Sequence, residues 1–269
     1  MNNPLFLNTI LLGGPTAGKV AAARAAGFDE IELWREDVDA VPGGAVALRR
    51  LLSDDGLGVT DYQVLLDFDG APGERRAKKR AEATWMLDQA VEVGAPMLLS
   101  PASTDRDCDP ARIDDDMRWL ARQAAYRGLR VAYEGMVWSR FNNTLASAWG
   151  LVQRLDEPNL GVVVDAFHLF VGGETADDLD RLKPDRLYLV QLSDLGHGVA
   201  GDDVVETARH HRLLPGDGHF PLATVADRLR IMGYAGPVGL EVFNDDLNAQ
   251  EPVLVAQRAM EALERCVPR

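Results

Sequence analysis

Four apolar runs in the second half of the chain each end in a side chain that carries oxygen: VAYE at Glu134, GVVVD at Asp165, LYLVQ at Gln191 and GLE at Glu241. One acidic residue closing a strand says little, because polar residues end strands in any case. Four such endings, each followed by a helical pattern, describe parallel strands whose C-terminal ends aim their side chains at one point. In a (β/α)8 barrel the active site is built at that face. Three carboxylates and an amide oxygen suit a hard divalent cation, Mg2+ or Mn2+ ahead of Co2+ or Zn2+. The expected metal ligands are therefore Glu134, Asp165, Gln191 and Glu241. Gln191 is the weakest donor of the set and could instead hydrogen-bond a substrate.

Further residues surround that focus. His168 follows Asp165 by three positions in VVVDAFHLF, where the chain turns out of the strand, so it can lean over the metal or the substrate. Histidine titrates near neutrality and exchanges protons readily. RLLPGDG joins Arg212 to a tight turn, and an arginine there can hold a carboxylate or phosphate bidentately. Glu32, in EIELW, points toward the same mouth, and Trp138 in EGMVWSRFNN is placed to wall the pocket. Tyr133 should face away from the site if its strand alternates regularly. His210, His211 and His219 read as loop residues in solvent.

The elements needed to carry these residues are present. Short β-rich runs (LFLNTILL, DEIEL, LGVTDYQVLL, PMLLS, LRVAYE, LGVVVD, RLYLVQ, GPVGLE) alternate with helical patterns such as PTAGKVAAARAAG, Glu74–Val93, ADDLDRL and LATVADRLRIMG. Gly27, Gly94 and Gly128 stand as helix stops. Strand–helix units running in one direction predict an α/β chain, a single (β/α)8 barrel spanning residues 1–269. No GxGxxG follows the first strand, and GGPTAGKV lacks the spacing of a phosphate-binding loop. The long connection from Ser193 to about Phe220 follows the strand of Gln191 and should overhang the site.

Composition narrows the partners. A formal charge of −14 argues against nucleic acid and anionic membranes, which select basic surfaces. Cys108 and Cys266 form neither a zinc pattern nor a disulfide framework. The N-terminal apolar run lacks a basic leader, and no stretch is long enough to span a bilayer. A cytoplasmic protein acting on a small molecule is the expectation.

IELW, LRVAYEGMVWSRFNN, LGVVVDAFHLF, LVQLSDL, RLLPGDG and VGLEVFND, in this order, resemble the xylose-isomerase-like barrel superfamily of sugar (phosphate) isomerases and epimerases. The nearest likeness within it is to metal-dependent 3-dehydroshikimate dehydratases. That resemblance implies Glu134, Asp165, Gln191 and Glu241 as metal ligands, His168 and Arg212 beside the substrate, and a barrel of a kind that often forms homo-oligomers. In the implied reaction the metal polarises a carbonyl, and His168 or a metal-bound glutamate (Glu134 or Glu241) removes the adjacent proton. Loss of a β-hydroxyl then gives dehydration; reprotonation gives isomerisation or epimerisation. One departure favours a less anionic substrate: Leu66 stands where dehydratase-like sequences carry arginine. Abasic-site endonucleases share the superfamily but are histidine-rich and bind DNA. A barrel kept only for binding would be expected to lose ligands, and all four are here.

Overall fold

The computed structural model describes residues 3–196 and 204–267. Eight parallel strands close in sequence order: β1 (Leu5–Asn8), β2 (Glu30–Trp34), β3 (Gly58–Gln63), β4 (Met97–Pro101), β5 (Arg130–Glu134), β6 (Leu160–Asp165), β7 (Leu187–Leu192) and β8 (Val238–Leu240). β1 pairs with both β2 and β8, so no strand edge is left open. Strands covered on both faces must be apolar nearly throughout, which explains the continuous runs in the sequence.

Alternation along each strand divides the side chains between two cores. Phe6, Met97, Leu99, Ala132, Val163 and Leu189 form the inner cluster. Two residues further along, on the same side of the pleat, stand Asn8 on β1, Glu134 on β5, Asp165 on β6 and Gln191 on β7. The inner apolar layer is thus the floor on which the polar group sits. Gly239 on β8 lies so close to Phe6 that any Cβ there would collide with its ring and carbonyl. The opposite faces of the strands pack under the helical layer, which includes Thr16–Ala26, Gly73–Val93, Pro110–Ala125 and Pro252–Cys266. Gly27 and Gly94 end their helices in the left-handed region, at φ 88° and 87°, where a side chain would be strained. No helix among the described residues is long and apolar enough to cross a membrane.

Three segments differ from the sequence reading. LFLNTILL is strand only to Asn8, because the Asn8 side chain accepts from the Ile10 N–H and turns the chain into a 3-10 segment, Thr9–Leu11. ADDLDRL is also 3-10 (Ala176–Arg181), since its buried residues, Ala176 and Leu179, recur at a spacing of three. The connection from Ser193 to Phe220 is no open loop. It holds a helix, Val204–His210, and Asp194 staples its ends by accepting from the N–H groups of Gly216 and Phe220. The segment 197–203 within it lies outside the described residues.

Phe6 is fully buried at the centre of the inner cluster. Phe6→Ala should cost about 3–5 kcal/mol in urea unfolding, through lost burial and a cavity its neighbours cannot close. Ile231→Ala, on a side chain 64% exposed, should stay within about 0.5 kcal/mol of the parent.

Candidate metal centre

Glu134 closes β5, Asp165 closes β6, Gln191 sits opposite Asp165 on β7, and Glu241 follows β8 by one residue. All four are buried. Asp165 also caps the short helix Ala166–Val171, its Oδ1 accepting from Phe167 N–H at 2.7 Å. That helix turn brings His168 back over the strand ends, with Nε2 3.7 Å from both Glu134 Oε1 and Asp165 Oδ2. Glu134, Asp165 and His168 bring polar side-chain atoms within 4.8 Å of one another.

Arg212 lies inside this group and not at its rim. Only 2% exposed, it donates through Nη1 to Asp165 Oδ2 at 2.8 Å and to Glu241 Oε2 at 3.2 Å, while Nε reaches the Ala208 carbonyl. Phe167 and Phe243 cover its guanidinium. Where the sequence suggests an arginine for a substrate anion, the structure shows its Nη1 serving two of the protein's own carboxylates. Glu32 is fully buried, with Oε1 taken by Gln191 Nε2 at 2.7 Å and Oε2 by Asn8 Nδ2 at 2.7 Å. The Trp138 ring lies 4.6 Å from the His168 ring. Leu66 lies on the loop after β3, half-exposed, its carbonyl held by Lys79.

Two residues in this network escaped the sequence reading. Asn8 bridges Glu32 and Glu241, and Asp61, buried inside β3, lies beside Glu32. Asn8 at the end of LFLN repeats the strand-end signal, though the longer apparent strand hid it. Asp61 offered only an acid within a β-run. Tyr133 faces outward as expected, donating to Asp69 Oδ2 at 2.7 Å and accepting from Asn142, so it ties the β3 and β5 loops together. His210 pairs with Asp245 and His219 with the Leu195 carbonyl, away from the centre.

Electrostatics follow from burial. Desolvation, then the charges of Glu241 and Asp165, push Glu134 well above the usual carboxylate range. Desolvation raises Glu241 to about 8 against the pull of Arg212, and Asp61 to about 7. For Asp165 burial acts upward, yet Arg212 and His168 outweigh it and hold the carboxyl low. Burial drives His168 down to about 4, so its imidazole is neutral. Its Nδ1 accepts from Val137 N–H at 3.3 Å, which leaves the proton on Nε2. An Nε2 that carries a proton cannot also ligate, so His168 is a donor facing the centre.

A divalent cation fits these residues. Glu134 Oε1 and Gln191 Oε1 are buried acceptors without a hydrogen-bond partner, in a group where carboxylates outnumber cations. Buried acceptors are rarely left so unless something binds them. The donors, all oxygen, support a divalent metal without choosing among Mg2+, Mn2+, Co2+ and Zn2+.

Comparison with known proteins agrees with this architecture. Residues 20–266 match the family described as xylose isomerase-like TIM barrel. The chain belongs to that family. This xylose isomerase-like barrel is 38% identical over 244 residues to a 3-dehydroshikimate dehydratase of Pseudomonas aeruginosa, a match covering 90% of the chain and 38% of that protein. The chain thus spans well under half the length of that relative. An inosose isomerase of Halalkalibacterium halodurans is 27% identical over 118 residues, covering 43% of the chain and 40% of that protein. Among solved structures, one described as a xylose isomerase-like TIM barrel/4-hydroxyphenylpyruvate dioxygenase fusion protein superposes with a TM-score of 0.92 at 30% identity, over 99% of the chain and 43% of its own.

Glu241, raised in the fold to about 8 from an ordinary 4.5, makes the metal-free folded state bind more protons than the unfolded chain between those values. Stability must then fall as pH rises through that window. Metal-free protein should melt lower at pH 8 than at pH 5.5 in a thermal scan. Added Mn2+ should raise the midpoint more at pH 8, where it no longer competes with protons. A metal-free midpoint that climbs with pH contradicts this account of the cluster.

Proposed function

We propose that this barrel is a divalent-metal-dependent lyase that removes water from 3-dehydroshikimate to give protocatechuate. The observation that carries the reading is the pair of unpartnered buried oxygens, Glu134 Oε1 and Gln191 Oε1, at the strand ends of a barrel with dehydratase relatives. Glu134, Asp165, Gln191 and Glu241 would hold the cation. When bound, it supplies a Lewis acid that acidifies the C–H next to a substrate carbonyl.

The chain's own groups then divide the proton work. Glu134 takes the proton from carbon through a carboxylate oxygen that the cation leaves free. His168 presents Nε2–H on the same side and gives that proton to the departing β-hydroxyl, which leaves as water. Aromatisation of the ring drives the elimination. Arg212 keeps Asp165 charged and in place, and Trp138 packs against the imidazole so that its ring plane is set before substrate arrives. Isomerisation or epimerisation of a less anionic polyol ketone is the second reading. The half-exposed apolar Leu66, at a position where an arginine would serve a substrate carboxylate, favours it.

Mn2+- or Mg2+-loaded enzyme incubated with 3-dehydroshikimate should build up protocatechuate absorbance, and exhaustive chelation should abolish it. Glu134→Gln and His168→Gln should each lower kcat by about 100-fold or more with unchanged far-UV circular dichroism. Absence of turnover, combined with solvent deuterium exchange into an inosose or ketose, replaces the lyase reading with the isomerase one.

A further inference from the structure

We propose that Glu32 is a positioning residue, whose buried carboxylate fixes the amide of Gln191 so that its oxygen, and not its nitrogen, faces the strand-end cluster. The inference rests on the metal reading above and goes beyond it, because Glu32 touches neither cation nor substrate in that scheme.

An amide is nearly symmetric in shape, and either end could turn inward. The wrong end would aim an NH2 group at a cation. The structure settles the choice through a relay that begins at the backbone. Ile10 N–H, which can only donate, gives its hydrogen to Asn8 Oδ1 at 3.0 Å. Asn8 must then turn its Nδ2 the other way, and it donates to Glu32 Oε2 at 2.7 Å and to Glu241 Oε1 at 3.2 Å. Burial, Asp61 and Glu241 push the Glu32 carboxyl up, but each of its oxygens is met by an amide donor and so acts as an acceptor. Its Oε1 therefore takes Gln191 Nε2, at 2.7 Å, and Gln191 Oε1 is left on the far side of its amide. That oxygen is buried and has no other partner. Reversing the amide would set two acceptor oxygens 2.7 Å apart across the Glu32 contact and leave a buried donor unsatisfied. The polarity of one peptide N–H on the turn after β1 is thereby carried to an oxygen on β7, on the opposite side of β8.

The experiment exchanges the acid and the amide across their hydrogen bond, with Mn2+ binding to metal-stripped protein read by titration calorimetry. In Glu32→Gln, Asn8 Nδ2 takes the new amide's oxygen, so its NH2 meets Gln191 and draws the Gln191 oxygen away from the centre. Mn2+ affinity should fall about 10–100-fold, the usual cost of removing a group that orients a ligand. Far-UV circular dichroism should not change. In the double variant Glu32→Gln/Gln191→Glu, the new glutamine can accept from Asn8 and donate to the new glutamate, whose second oxygen faces the centre. Its affinity should return to within about threefold of the parent. A purely structural Glu32 would not be rescued by that exchange. Parent-like Mn2+ binding by Glu32→Gln, or a folded double variant that binds no better than Glu32→Gln, overturns the inference and leaves the metal centre standing. If Glu32→Gln does not fold, the double variant alone decides. A parent protein that binds no Mn2+ overturns both.

Discussion

The structure depends on a charge deficit at the C-terminal ends of its strands. Glu134, Asp165 and Glu241 are buried together, and Arg212 is the guanidinium among them. Three carboxylates against one cation leave two negative charges uncompensated in a medium where each is costly. Without a partner, the fold meets that cost by holding protons, which is why Glu134 and Glu241 titrate high. Asp165, closest to Arg212, is the one kept ionised. A divalent cation supplies the charge that protons otherwise supply, so metal affinity and carboxylate basicity are one property seen from two sides.

A group so unfavourable must be held by something rigid. The inner cluster from Phe6 to Leu189 packs directly beneath it, and the strands that carry the acids are locked to neighbours on both sides. The loops above are tied separately, through Tyr133 to Asp69 and through Asp194 to the segment ending at Phe220. Function is thus divided between strand ends, which cannot move without opening the barrel, and loops, which are stapled by single carboxylates.

Much of this was legible in the sequence. Strand periodicity and the four strand-end oxygens identified the barrel and the residues it gathers, because both follow from alternation along one strand. What was not legible depends on neighbours distant in sequence. Glu32 and Arg212 carry the right chemistry for substrate binding, and nothing local shows that Gln191 and Asp165 have already taken their hydrogen bonds. Asp61 sits on a strand whose register with β2 shifts between Ile31 and Leu33, so simple alternation does not predict which side it faces. The tautomer of His168 is set by the Val137 backbone, which no pattern of side chains could reveal.

A neutral side chain at position 191 has a physical reason. With Glu32 in place, a carboxylate there would lie against a second buried acid that is already crowded by Asp61. An amide avoids that repulsion and can donate to Glu32 with one end while offering oxygen with the other. Its drawback is that it has two ends. The Asn8–Glu32 relay removes that ambiguity at the expense of another buried acid, itself held by two amide donors. In the proposed reaction the same balance would leave more of a bound cation's field for a substrate carbonyl.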